Sequence, residues 1–233
     1  MAYNIEGMEF LSDCSNEELG VLVDLIKDTG SFTELLTNTK VYSENYPNHR
    51  AYVDLIQNEI IDFGYNSLNI FADRSYKEVV KKVCKKMNVY DSSDDMYEME
   101  NKILGKVFHD RFDKLTDEDK KAILQDLDLK GLQLKDFKDR GGYLIFAKLF
   151  KAGGFDSYKM SVTIANSLAR IVTGKGLSLA VNAGLTKAFS VLTSGPVAAL
   201  TALWTIWDWA SPNYKVVGKA VPYIAAFRHI HEN

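Results

Sequence analysis

Apolar side chains recur every three to four residues along most of the chain. Leu19, Leu22, Val23 and Ile26 fall on one face of a helix, behind the capping box Ser15-Asn16-Glu17-Glu18. In such a box the hydroxyl accepts from the third backbone N–H and the carboxylate reaches back. The same S/T-x-x-E/D pattern recurs at Ser31–Glu34, Ser75–Glu78 and Thr116–Asp119. Behind Ser75, Val80, Val83, Cys84 and Met87 share a face. Pro47 suits a first helical position, with Tyr52, Leu55, Ile56, Ile60 and Phe63 behind it and Gly64 as the stop. Met96, Met99, Ile103, Leu104 and Phe108 predict another helix, and the acids Asp91–Asp95 suit its N-terminus. No stretch alternates apolar and polar positions as a half-buried strand would.

These patterns predict an all-α fold, a multi-helix bundle of about eight to ten helices at the usual helix length. The punctuation changes at Gly141-Gly142. Beyond it the chain is rich in Gly, Ala, Ser and Thr and breaks into short apolar pieces. Charge changes at the same place. Residues 1–140 hold 19 basic and 28 acidic side chains, a net of −9; residues 141–233 hold 9 and 3, a net of +6. The expected organisation is an acidic helical domain, 1–140, with a short N-terminal module, 1–30. A basic, apolar helical part, 141–233, packs on it. At 233 residues and 46% apolar content the chain can bury a sizeable core without disulfides, and its composition argues against disorder. Cys14 and Cys84 stand seventy residues apart, and Met1–Phe10 has neither a basic start nor an apolar run. Scattered thiols and no secretory signal predict a cytoplasmic protein.

Motifs that carry chemistry are absent. There is no phosphate loop, no H-E-x-x-H, no G-x-S-x-G and no dinucleotide fingerprint. Gly174-Lys175-Gly176 lacks the length and strand context of a phosphate loop. Asp126–Gly131 begins like a calcium loop but puts Lys130 at position 5 and Phe137 at position 12, where a bidentate Glu is needed. Of the histidines His49, His109, His229 and His231, the last two point about 200° apart on a helix and cannot clasp one metal together. No catalytic residue, no cofactor and no metal site is expected. Nucleic-acid binding is not expected either, because the basic positions lack an interleaved stacking row.

One segment stands out. Ala188–Trp207 is twenty residues without a charge, the length of a membrane span. Gly195-Pro196 divides it, and in the second piece Leu200, Leu203, Trp204 and Trp207 line one helical face while Thr201, Thr205 and Asp208 lie on another. Trp209, Tyr214, Lys215 and Lys219 come next, with Phe227 and Arg228 further on. Aromatics beside basic residues fit an interfacial belt. The segment is therefore open to three readings: a buried core helix, an interfacial helix or a span. The expected partner or membrane surface comprises Leu200, Leu203, Trp204, Trp207, Trp209, Tyr214, Lys215, Lys219, Phe227 and Arg228. Its partner is a protein or an anionic membrane surface; oligomeric state is not legible.

Gly7-Met8-Glu9-Phe10-Leu11-Ser12-Asp13-Cys14-Ser15, Glu59–Gly64 with Ser67-Leu68, Tyr76–Val80 and Ala220–Arg228 together resemble bacterial YaaW-like proteins. The matches are short and spread over nearly the whole chain. The resemblance implies a helical protein whose middle region is similar to chaperones assisting assembly of the ubiquinol–cytochrome c reductase complex. It brings no active-site residue. The expected function is thus a non-enzymatic, chaperone-like binding protein, cytoplasmic or peripheral on the inner membrane face. Two alternatives are a membrane-active, pore-forming-like protein with a sheltered apolar hairpin and an enzyme built from dispersed carboxylates.

Overall fold

The computed structural model describes residues 3–27, 35–65, 74–90, 92–113, 115–126, 134–138, 141–152 and 212–231. The described residues are mostly helical, as the periodicity predicts. The helices are α1 (Asn16–Lys27), α2 (Lys40–Asn45), α3 (Val53–Phe63), α4 (Tyr76–Lys86), α5 (Met96–Phe112), α6 (Asp117–Asp126), α7 (Tyr143–Ala152) and α8 (Pro212–His231). The expected count of about eight to ten is somewhat higher than the number of full helices among the described residues, since α2 is only six residues long. Short 3₁₀ turns at Glu9–Ser12, Leu36–Asn38, His49–Tyr52 and Leu134–Phe137 connect them. One feature has no periodic signal. Tyr3–Asn4 (β1) pairs in parallel with Arg74–Ser75 (β2), a ladder too short to show alternation.

The chain forms two compact units: Met1–Glu100 with Trp207–Asn233, and Asn101–Ile206. In the first unit, α8 packs against α1, α3 and α4. Val216, Val217, Ala220, Val221 and residues 223–228 are all buried. A helix buried around most of its circumference over this stretch is a core helix. Around it sit the faces read from the sequence: Leu19, Leu22, Val23 and Ile26 on α1; Ile56, Ile60 and Phe63 on α3; Val80, Val83 and Cys84 on α4.

The caps expected at Ser15, Ser75 and Asp95 form. Glu18 N–H donates to Ser15 Oγ (3.2 Å), and Ser15 N–H donates back to Glu18 Oε2 (2.8 Å). Ser75 Oγ accepts from Glu78 N–H. Asp95 Oδ1 accepts from the N–H groups of Tyr97 and Glu98, so the acid run does cap α5. The Ser31 box and the residues after Asp126, expected as a loop, lie outside the described residues. Pro47 does not start α3. It comes after a cis Tyr46–Pro47 bond and precedes the His49–Tyr52 turn, and the helix begins at Val53.

In the second unit, Phe108 and Phe112 of α5 meet Phe137 of the Leu134–Phe137 turn and Phe146 of α7. Ring centroids are 4.9 Å apart for Phe112–Phe137 and 5.2 Å for Phe137–Phe146. His109 Nε2 lies 2.6 Å from the Phe137 carbonyl, where it donates. Its Nδ1 is 3.6 Å from Asp110, which acts there as a charge rather than through a made hydrogen bond. Asp110 raises the His109 pKa, the Phe137 carbonyl and Asp113 add to this, and burial opposes them. His49 and His229 are pushed the other way, chiefly by burial. His109 therefore stabilises the fold at low pH, and that contribution is lost as pH rises through its raised pKa. His49 and His229 contribute above the ordinary histidine pKa, and lose it as pH falls through their lowered values. Histidine NMR titration should place His109 above its ordinary value and both others below. The reverse order would remove this account.

Candidate functional site

The residues expected to form a partner surface divide in the structure. Leu200, Leu203, Trp204, Trp207 and Trp209 lie outside the described residues. Tyr214 belongs to the first turn of α8. Lys215 is exposed and Lys219 half-buried. Phe227 and Arg228 are not on a surface: both are buried, at 0% and 6% exposure. The correction has a physical reason. A lone arginine near a C-terminus reads as a solvated charge, but this one has a buried carboxylate partner 128 positions away.

That partner is Glu100. Arg228 Nε donates to Glu100 Oε2 (2.8 Å), and Nη2 donates to Oε1 (3.2 Å). Such a two-pronged pair uses the planar fork of the guanidinium. Tyr76 Oη donates to the same Oε1 at 2.8 Å. Burial and the Glu100 charge push the Tyr76 pKa well up, so it remains a donor. Arg228 Nη2 also donates to the Gly7 carbonyl. Gly7 has φ +87°, and a Cβ there would collide with Met96. The guanidinium lies 4.7 Å from the Phe10 ring centroid and 4.8 Å from that of Tyr97. The arrangement ties the N-terminal module, α4, α5 and α8 together. Every polar atom named in it has a partner, which is the signature of a structural network.

One turn beyond Arg228, His231 reaches a second cluster. Its Nε2 lies 3.0 Å from Glu18 Oε1. The other carboxylate oxygen, Oε2, is held by Ser15 N–H (2.8 Å) and Ser15 Oγ (2.9 Å). The capping box therefore fixes the Glu18 carboxylate and aims Oε1 at the histidine. Cys14 Sγ completes the group: one ligand atom from each of Cys14, Glu18 and His231 lies within 4.8 Å of the others. Cys14 is fully buried, and burial first, then Glu18 and Asp13, push its thiol up to about 12. His231 is partly exposed and faces the Phe10 ring, with centroids 6.3 Å apart. Spacing in the sequence excluded His229 with His231 as a metal pair. It gave no sign of this group, because His231 lies 213 positions from Glu18.

Among the described residues, no helix is long and apolar enough to cross a membrane. No protein-family model matches the chain, and no solved structure matches it. Three curated relatives do. A UPF0174 protein of Helicobacter pylori strain J99 is 32% identical over 238 aligned positions, which cover 98% of this chain and 93% of the relative. A second UPF0174 protein of that strain is 27% identical, covering 84% of this chain and 96% of its own length. One from strain 26695 is 29% identical with the same coverage. Likeness of that degree along nearly the full length of both proteins places the chain in the UPF0174 family of bacterial proteins.

Proposed function

We propose that the protein is a non-enzymatic, chaperone-like helical binding protein that works on the cytoplasmic side and engages an apolar surface through its C-terminal third. The observation that carries the reading is the charge-free run Ala188–Trp207, with Trp204, Trp207 and Trp209 at its end. The basic residues just beyond the run support it. Lys215, in the first turns of α8, is exposed, and Lys219 is half-buried. Basic groups beside an aromatic, uncharged segment favour an anionic membrane face, or an apolar partner segment with acidic flanks. Both cysteines are free and buried, which suits a reducing compartment.

Each basic residue near anionic lipid adds about 1 kcal/mol at best, and salt screens it. Leu200, Leu203 and the tryptophans must supply the rest by insertion. Co-sedimentation should show weak binding to phosphatidylserine-containing vesicles at low salt, less at high salt and none to neutral vesicles. The Lys215→Glu/Lys219→Glu variant should bind less. If the wild-type protein stays in the supernatant with anionic vesicles at low salt, the membrane face is excluded. The apolar run would then have to be matched by a protein that co-purifies from native cells and is lost with Trp204→Ala.

A further inference from the structure

We propose that Cys14, Glu18 and His231 form a binding site for a divalent transition-metal ion of the zinc class.

The donor set points to the ion. One sulfur, one carboxylate oxygen and one imidazole nitrogen are the ligands zinc takes, and hard cations such as Mg²⁺ and Ca²⁺ do not select a thiol. The geometry is close to what the ion needs. Ligand atoms around tetrahedral zinc stand at about 2.0–2.3 Å from the metal. Atoms already within 4.8 Å of one another reach that arrangement with small side-chain shifts. His231 and Glu18, at 3.0 Å, need almost none.

Charge balance also favours a cation. A divalent ion with one thiolate, one carboxylate and a neutral imidazole has no net charge, so a buried site carries no unpaired ion. On binding, the cation takes the place of the Cys14 thiol proton, which leaves to solvent. It also replaces the hydrogen bond between His231 and Glu18. Not every nearby charge helps: Asp13 and Arg50 both act on Cys14, with opposite signs.

Two further features are those of a built site. The Glu18 carboxylate is oriented from behind by Ser15 N–H and Oγ, as outer-shell groups orient a ligand. Among the three ligands, Cys14 and Glu18 are buried, while His231, the last residue of α8, is partly exposed and offers the side of entry. Water would complete the coordination of an ion held by three protein ligands. The carbonyl end of α8 adds partial negative charge beside His231.

The test is titration of the reduced full-length protein with Co(II), which reports ligand type by its spectrum. The wild-type protein should take up one equivalent, develop a thiolate-to-cobalt charge-transfer band, and lose that band on adding zinc. Cys14→Ser should abolish the band. His231→Ala should weaken binding by at least about tenfold. Cys84→Ser should leave the band unchanged. Circular dichroism establishes that each variant is folded. Cys14 is fully buried; if Cys14→Ser fails to fold, His231→Ala, at a partly exposed helix end, decides the matter. A folded wild-type protein without the band overturns the proposal. So does a band that survives Cys14→Ser, is lost with Cys84→Ser, or is untouched by His231→Ala.

Discussion

Arg228→Met should lower the free energy of unfolding by about 3–5 kcal/mol, because it leaves one partner of a buried pair without the other. At this chain length that corresponds to a fall in melting temperature of roughly 10 °C. The loss has three sources. Glu100 keeps a buried charge after its guanidinium partner is gone, with Tyr76 still donating to it. The Gly7 carbonyl loses the guanidinium that serves it. Phe10 and Tyr97 lose the cation between them. Glu100→Gln should cost a similar amount from the other side. The double variant should recover much of the sum, since neutral replacement of both members of a buried pair is often tolerated. Chemical denaturation of all three variants gives the coupling energy. Were Arg228 a surface contact for lipid or a partner, Arg228→Met would change stability by only about 0.5 kcal/mol. A value that small would return it to the surface.

The same residue shows where sequence reasoning reaches its limit. Faces of α1, α3, α4 and α5 are legible, because a 3.6-residue period is written in each helix's own residues. The caps at Ser15 and Asp95 are legible for the same reason, since donor and acceptor lie within three positions. Arg228 and Phe227 are not. The local pattern around them, basic and aromatic, is shared by a membrane belt and a core helix. Only Glu100 separates the two, and nothing in the spacing links positions 100 and 228. The Cys14 group divides in the same way. Cys14 and Glu18 sit four apart and read as a helix start, which they are, while the third member arrives from the far end of the chain. The parallel β1–β2 pair is invisible because two residues per strand carry no period.

The second unit makes a prediction of equal size. Phe146→Ala should cost about 3–5 kcal/mol, at the upper part of that range. Phe146 is fully buried, with the Phe137 ring at 5.2 Å, Phe112 at 5.5 Å and Phe108 at 6.4 Å. The cost of such a truncation depends on how far the surroundings collapse into the space left. Here collapse is opposed. At Gly105 the backbones of α5 and α7 already lie so close that a Cβ would strike the Tyr143 carbonyl and the Ala147 backbone. At Gly142 a Cβ would meet His109 Nε2 and the Phe137 carbonyl, each at 2.6 Å. Helices that already touch backbone to backbone cannot move closer to fill a cavity. Phe146→Leu keeps most of the volume and should cost distinctly less. Denaturant midpoints of the two variants give the comparison, and hydrogen exchange at α7 amides gives its location. Equal costs for Ala and Leu would mean that the four rings do not form a packed core.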